Sequence, residues 1–145
     1  MSLQGKVIIV TGGTKGVGRG VAESAGANGA KVVISGRCEE DGFEVCDFIR
    51  NKHKGEAIFV KGDLRKPEVC ENLVNQAIAK YGKVDGLVNY AGVLPASALP
   101  NTEESEFDDV FDINVKAAFF CTKFVLRAMM ENGGGSIVFI GSVHA

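Results

Sequence analysis

Residues 11–18 read Thr11-Gly12-Gly13-Thr14-Lys15-Gly16-Val17-Gly18. They follow an aliphatic run and open a stretch of helical length. Gly12 permits a tight turn, and Gly16 lets the backbone approach an anion. A pyrophosphate would then rest on the free N–H groups of the helix start, beside Thr14 and Val17. Gly18 allows close packing of helix on strand. The chemistry is the cradling of a diphosphate; the bland alternative is a glycine-rich turn with no ligand. A nucleoside-triphosphatase loop is rejected. Gly13 and Gly18 have its spacing, but Arg19 and Gly20 follow where Lys and Ser/Thr are required.

The second chemical signal ends the second aliphatic run, at Ser35-Gly36-Arg37. A site for NAD(H) carries an acid there to hold the ribose 2′-hydroxyl. Here the position offers a guanidinium, which can fork onto a 2′-phosphate and stack on adenine. Lys15 could reach the same phosphate. The expectation is NADP(H), with NAD(H) second. The competing reading makes Arg37 and Lys15 solvated surface charges.

These residues need a scaffold. Residues 6–10, 31–35, 57–61, 84–89 and 136–141 are strand-like runs, mostly aliphatic and without strict alternation, which predicts burial on both faces. Between them, residues 17–28, 39–53, 67–81 and 103–132 have helical length. Pro67 suits a first helical turn. Residues 101–105 carry a cap and acids suited to the start of the last helix, and Gly133-Gly134-Gly135 end it. The alternation predicts a doubly wound α/β layer of about five parallel strands, with helices on both faces, in one domain over residues 1–145. Gly26 interrupts the first helix, at a cost of about 1 kcal/mol against Ala. Close approach to the sheet would account for it.

In series, these motifs resemble the short-chain dehydrogenases/reductases, over the whole chain. Thr11–Gly18 matches that family's T-G-x-x-x-G-x-G loop. Asp63-Leu64 matches the pair that holds the adenine ring. Asn89-Tyr90-Ala91-Gly92 resembles the N-N-A-G motif that steadies the central strand. Asn114 falls where the family has its helix-borne catalytic Asn, and Ser142 where it has its catalytic Ser. Taken singly, Asp63 could be a turn residue, Asn114 a surface polar and Ser142 a strand end. The resemblance implies a Rossmann-like fold, with Gly12, Thr14, Lys15, Gly16, Val17, Gly18, Arg37, Asp63, Leu64, Asn89, Ala91 and Gly92 around the cofactor. It also implies hydride transfer between nicotinamide and a carbonyl or alcohol substrate, and a dimer or tetramer in the complete protein.

Two departures stand out. Tyr90 replaces the second Asn of N-N-A-G. The family's Y-x-x-x-K pair follows the catalytic Ser, yet Tyr81 and Tyr90 are the two tyrosines here, with Asp85 and Leu94 four places on. Related enzymes run to roughly 250 residues, still one domain. The expectation is therefore the cofactor-binding part of an NADP(H)-dependent oxidoreductase, truncated relative to the family and inactive alone. The alternatives are a non-catalytic NADP(H)-binding module and an assembly protein that pairs through residues 103–132. Val110, Val115, Phe119, Phe120, Phe124 and Val125 give that helix an apolar stripe, and ordinary core accounts for it equally well. The apolar run 93–100 would line a substrate pocket or form a surface loop.

Composition narrows the field. The chain has 145 residues, 46% hydrophobic and 23% charged, with 16 Lys+Arg against 18 Asp+Glu. That permits a real core and argues against disorder. A net charge of −2 is a poor footprint for nucleic acid. No apolar run exceeds about five residues, far short of a bilayer span. The N-terminus lacks the features of a signal peptide. Cys38, Cys46, Cys70 and Cys121 form no C-x-x-C pair, and His53 and His144 add too little for a zinc site. The expectation is four reduced thiols in a cytoplasmic protein, with no metal.

Overall fold

A computed structural model describes residues 2–142. The aliphatic runs form strands because buried Val and Ile satisfy their backbone only by pairing. β1 (Val7–Thr11), β2 (Lys31–Gly36), β3 (Glu56–Lys61), β4 (Gly86–Asn89) and β5 (Ser136–Phe139) make one sheet in the order β3-β2-β1-β4-β5. Every neighbouring pair is parallel, with Ile9 opposite Val33 on one side and Leu87 on the other. The chain walks outward from β1 to β3, then returns to lay β4 on the other side of β1. That reversal opens a crevice beyond the carboxyl ends of β1 and β4.

Two cores result, one per face. α1 (Gly16–Ala27) and α2 (Glu39–His53) close over Val10, Val32 and Ile34, adding Ala22, Val45 and Ile49. α3 (Pro67–Tyr81) and α5 (Ala117–Glu131) close over Val7, Ile9, Val33 and Leu87, adding Leu73, Val74, Val125 and Met129. Consecutive β1 residues thus feed opposite cores, which is why the strand shows no polar alternation. Pro67 does open α3, and a left-handed Gly82 ends it.

The structure corrects three expectations. The strand expected over residues 136–141 ends at Phe139 and pairs with β4 alone, leaving Val138, Phe139 and Ile140 exposed. Gly26 is required by a neighbouring helix, not by the sheet: a Cβ there would lie 2.6 Å from Ile49 Cγ2 of α2. The helix expected over residues 103–132 comprises α4 (Glu104–Phe111), a wide π turn (Asp112–Lys116) and α5, preceded by a 3-10 turn at Leu99–Asn101. No side chain caps α4. The π turn rotates the apolar stripe. Val125 is core and Phe120 and Phe124 pack against it, whereas Val115 and Phe119 face outward.

No helix among the described residues is long and apolar enough to cross a membrane. No group of three or more potential metal ligands occurs among them either; His144 lies outside the described residues. All four cysteines are free thiols, with Cys38 exposed and Cys46, Cys70 and Cys121 buried. Burial pushes the Cys46 thiol up to about 11. A disulfide reagent should therefore titrate one thiol rapidly in the native protein and all four after denaturation. Two or more fast thiols would contradict this packing.

Candidate functional site

The crevice is built on β1. Thr11 ends that strand, and its hydroxyl oxygen accepts the N–H groups of Tyr90 (3.0 Å) and Ala91 (3.1 Å). The end of β4 is thereby fastened to the start of the glycine loop. Gly12 turns the chain at φ +66°, and a Cβ there would lie 2.9 Å from Ala91 Cα. α1 then begins at Gly16, with no acidic residue in its first turn and no side chain capping it. Its first N–H groups remain available to an anion, at the positive end of the helix dipole.

A cleft of about 1240 Å³ follows, above the usual range for a drug-sized ligand. Of the expected site residues, Gly12, Thr14, Lys15, Gly16, Arg37, Asp63, Leu64, Asn89, Ala91, Gly92, Asn114 and Ser142 line it. Val17 and Gly18 do not. Val17 is the second residue of α1 and largely exposed, and Gly18 is buried beneath the Tyr90 ring. Any role for these two is through backbone position.

The phosphate-binding expectation divides. Arg37 is exposed at the end of β2 and makes no ion pair among the described residues. Lys15 is not free: its Nζ lies 2.8 Å from Asp41 Oδ2 in the first turn of α2. Asp41 raises the Lys15 ammonium above its usual range and is itself held low by Lys15. A phosphate binding here would have to draw Lys15 from a carboxylate, whereas Arg37 makes no such ion pair among the described residues.

At the far wall, Asp63 lies just beyond β3. The Arg65 guanidinium grips its carboxylate and holds it below the usual aspartate range. Leu64 is buried in the core, which fixes the backbone of this loop. Asn89 is 6% exposed and donates from Nδ2 to Thr122 Oγ1 of α5 (3.3 Å), while its Oδ1 has no partner. That bond spans sheet to helix.

Asn114 sits in the π turn. Its Oδ1 accepts the Val93 N–H (2.8 Å) and its Nδ2 donates to the Val93 carbonyl (2.9 Å). One side-chain amide thus pairs with the backbone beyond β4 as a strand would. A Cβ on Gly92 would meet Asn114 Oδ1 at 3.1 Å. Glu106 of α4 secures the same loop by accepting the Ala96 and Ser97 N–H groups, which hold its carboxyl low. Ser142 enters the cleft from β5 with Ile140 and Gly141. Asn114 and Ser142 therefore share one cavity, although 28 positions separate them (142 − 114).

Three contributors escaped the sequence reading. Thr11 was legible within the T-G pair. Arg65 follows Asp63 by two positions, but only the fold shows which carboxylates it joins. Tyr90 was noted as a departure, and its packing over the glycine loop was invisible.

The family model for short chain dehydrogenase matches residues 6–145. An uncharacterized oxidoreductase of Thermotoga maritima is 37% identical over 142 residues, covering 98% of this chain and 55% of its own length. A metagenomic short-chain oxidoreductase, solved with NADP, superposes with a TM-score of 0.92 at 31% identity, over 99% of this chain and 65% of that one. The 7α-hydroxysteroid dehydrogenase, solved with NADH and 7-oxo glycochenodeoxycholic acid, gives 0.92 at 33% identity, over 97% and 55%. The chain thus spans between about half and two-thirds of the length of these relatives. Agreement in sequence along nearly the whole chain, and in the path of the backbone, has one common source: this chain belongs to the short-chain dehydrogenase family.

Proposed function

We propose that this chain is the cofactor-binding part of an NADP(H)-dependent oxidoreductase acting on a small carbonyl or alcohol substrate. The observation that carries it is Arg37, exposed at the end of β2 and in no ion pair among the described residues, where an NAD(H) site needs an acid. The glycine cradle fits the dinucleotide. At Gly12 a side chain would collide with Ala91, so backbone alone faces the phosphates there. Solved relatives hold NADP in one case and NADH in another, so the preference rests on this chain's own charges.

The bound nicotinamide would supply the hydride. This chain's residues would bind and orient that cofactor. The start of α1 holds the pyrophosphate, Arg37 and Lys15 take the 2′-phosphate, and Asp63 with Leu64 flanks the adenine. Asn89, Ala91 and Gly92 form the floor. Ser142 would hydrogen-bond the substrate oxygen as charge develops on it. Asn114 would hold a water for proton transfer. In the family the general acid/base is a Tyr beside a Lys on the following helix, and we assign that role to residues beyond Ala145. The full reaction therefore belongs to the longer protein.

The outer surface of α4, the π turn and α5 exposes Phe107, Phe111, Val115, Phe119, Leu126 and Met130. An apolar stripe of this kind supports a homo-oligomer in the complete protein. With free thiols throughout, the setting we assign is cytoplasmic.

The test is a fluorescence titration with NADPH and NADH. A charge-assisted bond is worth about 1.5–3 kcal/mol, so the parent should favour NADPH by roughly tenfold to a hundredfold. Arg37→Ala should bring that ratio close to one. A parent that favours NADH, or a ratio unmoved by the substitution, would overturn the assignment.

A further inference from the structure

Arg65 is the most heavily bonded side chain in the cleft. Its Nε lies 3.0 Å from both carboxylate oxygens of Asp63, and its Nη2 lies 2.5 Å from Oδ2. Its own N–H donates to Asp63 Oδ1 at 3.2 Å. The remaining arm, Nη1, reaches Asp109 Oδ1 at 2.5 Å. Asp63 belongs to the loop between β3 and α3, whereas Asp109 belongs to α4. Asp63, Arg65 and Asp109 all line the one cleft. One guanidinium therefore joins the two segments through a carboxylate on each.

We infer that Arg65 is a positioning residue for base recognition, a clasp between Asp63 and Asp109 that fixes the carboxylate against which an adenine amine is read. This rests on the dinucleotide reading above. The chemistry is directional. A carboxylate free to rotate accepts from many donors and favours none. Held by a planar fork, it keeps its remaining lone pairs aimed one way. Three N–H groups of Arg65 contact Asp63, the Nε–H being shared between the two oxygens, so they fill about three of the carboxylate's roughly four acceptor positions and leave one for a further donor. Without Arg65, Asp63 and Asp109 would be two like charges in the one cleft, and the two segments would be driven apart. Lysine could not replace it, since a point charge cannot fork onto one carboxylate while reaching another.

The ligand pair that reads this device is NADPH and its hypoxanthine analogue, nicotinamide hypoxanthine dinucleotide phosphate. The two differ where the base presents an amine donor or a carbonyl. Affinities would be measured for the parent, Arg65→Met and Asp109→Asn, with melting temperatures alongside. Met retains the stem's apolar bulk without the fork. The parent should favour NADPH by about tenfold, as expected for one donor read by a charged acceptor. Arg65→Met should compress that ratio to within about twofold. Asp109→Asn, a change at an exposed position, should move it the same way by less.

A merely structural Arg65 would weaken both ligands equally and leave the ratio intact, which would overturn the inference. A parent that fails to distinguish the two bases would overturn it as well. If the parent binds neither dinucleotide, the proposed function falls with it. If the parent binds and discriminates but Arg65→Met does so equally, only the role of Arg65 falls. Should Arg65→Met fail to fold, an unchanged ratio in Asp109→Asn decides against the clasp.

Discussion

Gly18→Ala should destabilise the protein by about 1–3 kcal/mol and weaken dinucleotide binding together. The added methyl would meet two different neighbours. One is the edge of the Tyr90 ring, a side chain with some freedom to turn. The other is the carbonyl oxygen of Gly12, 2.5 Å from the new Cβ. That oxygen is backbone, and its loop is pinned on the other side by Ala91. Moving it means shifting the start of α1 away from the end of β4, which would spoil the anion site we assign to the loop. For a domain of this size the melting temperature should fall by roughly 2–12 °C. Tyr90→Ala in the Gly18→Ala background should restore only the part due to the ring. Urea unfolding within 0.5 kcal/mol of the parent would show that the loop gives way more easily than its contacts imply.

Asn114→Ala should act almost entirely on turnover. The side chain makes two hydrogen bonds, both to Val93, and is itself exposed, so the loss in global stability should stay near 1 kcal/mol. The consequence for the loop is larger. Beyond the Tyr90 and Ala91 N–H groups held by Thr11, Asn114 anchors Val93, and Glu106 then holds Ala96 and Ser97. Without Asn114 the segment that walls the substrate side of the cleft has one tether instead of two. In the full-length protein we expect turnover to fall by about a hundredfold, the lower end of what positioned proton transfer contributes. NADPH affinity should stay within about threefold, because the residues assigned to the adenosine and pyrophosphate lie on other elements. Steady-state kinetics and a cofactor titration on the same preparation separate the two. Equal losses in both would make Asn114 a scaffold residue and no more.

These expectations draw unequally on sequence and fold. Continuous Val/Ile runs separated by helical lengths gave the parallel sheet, because burial on both faces leaves no room for polar alternation. The strand order β3-β2-β1-β4-β5, with its reversal after β3, was fixed only in the tertiary structure. The glycine loop was legible because a turn between strand and helix restricts residue type to those tolerating positive φ. Gly12 and Gly16 adopt it, at +66° and +55°. Twelve of the fourteen expected residues line one cleft for the same reason: in a doubly wound sheet every strand's carboxyl end meets the same crevice.

Other features depended on distance in space. The π turn at Asp112–Lys116 could not be read from periodicity, and it carries Asn114, whose side chain bonds Val93, 21 positions away. The split of the apolar stripe, with Val125 in the core and Phe119 outside, follows from that turn. Lys15 reads as a free cation in sequence, yet Asp41 of α2 claims it. Gly26 is a gap that sequence can name, but only the fold shows the Ile49 methyl that fills it. Arg65 shows the limit most clearly. Its pairing with Asp63 is two residues long and local, but the bond to Asp109 crosses 44 positions. Sequence determined which groups this protein carries and which elements hold them, because those depend on local backbone preference and the period of burial. The tertiary structure alone decided which charges are already spoken for, because a charge answers to whatever stands within a few ångströms of it.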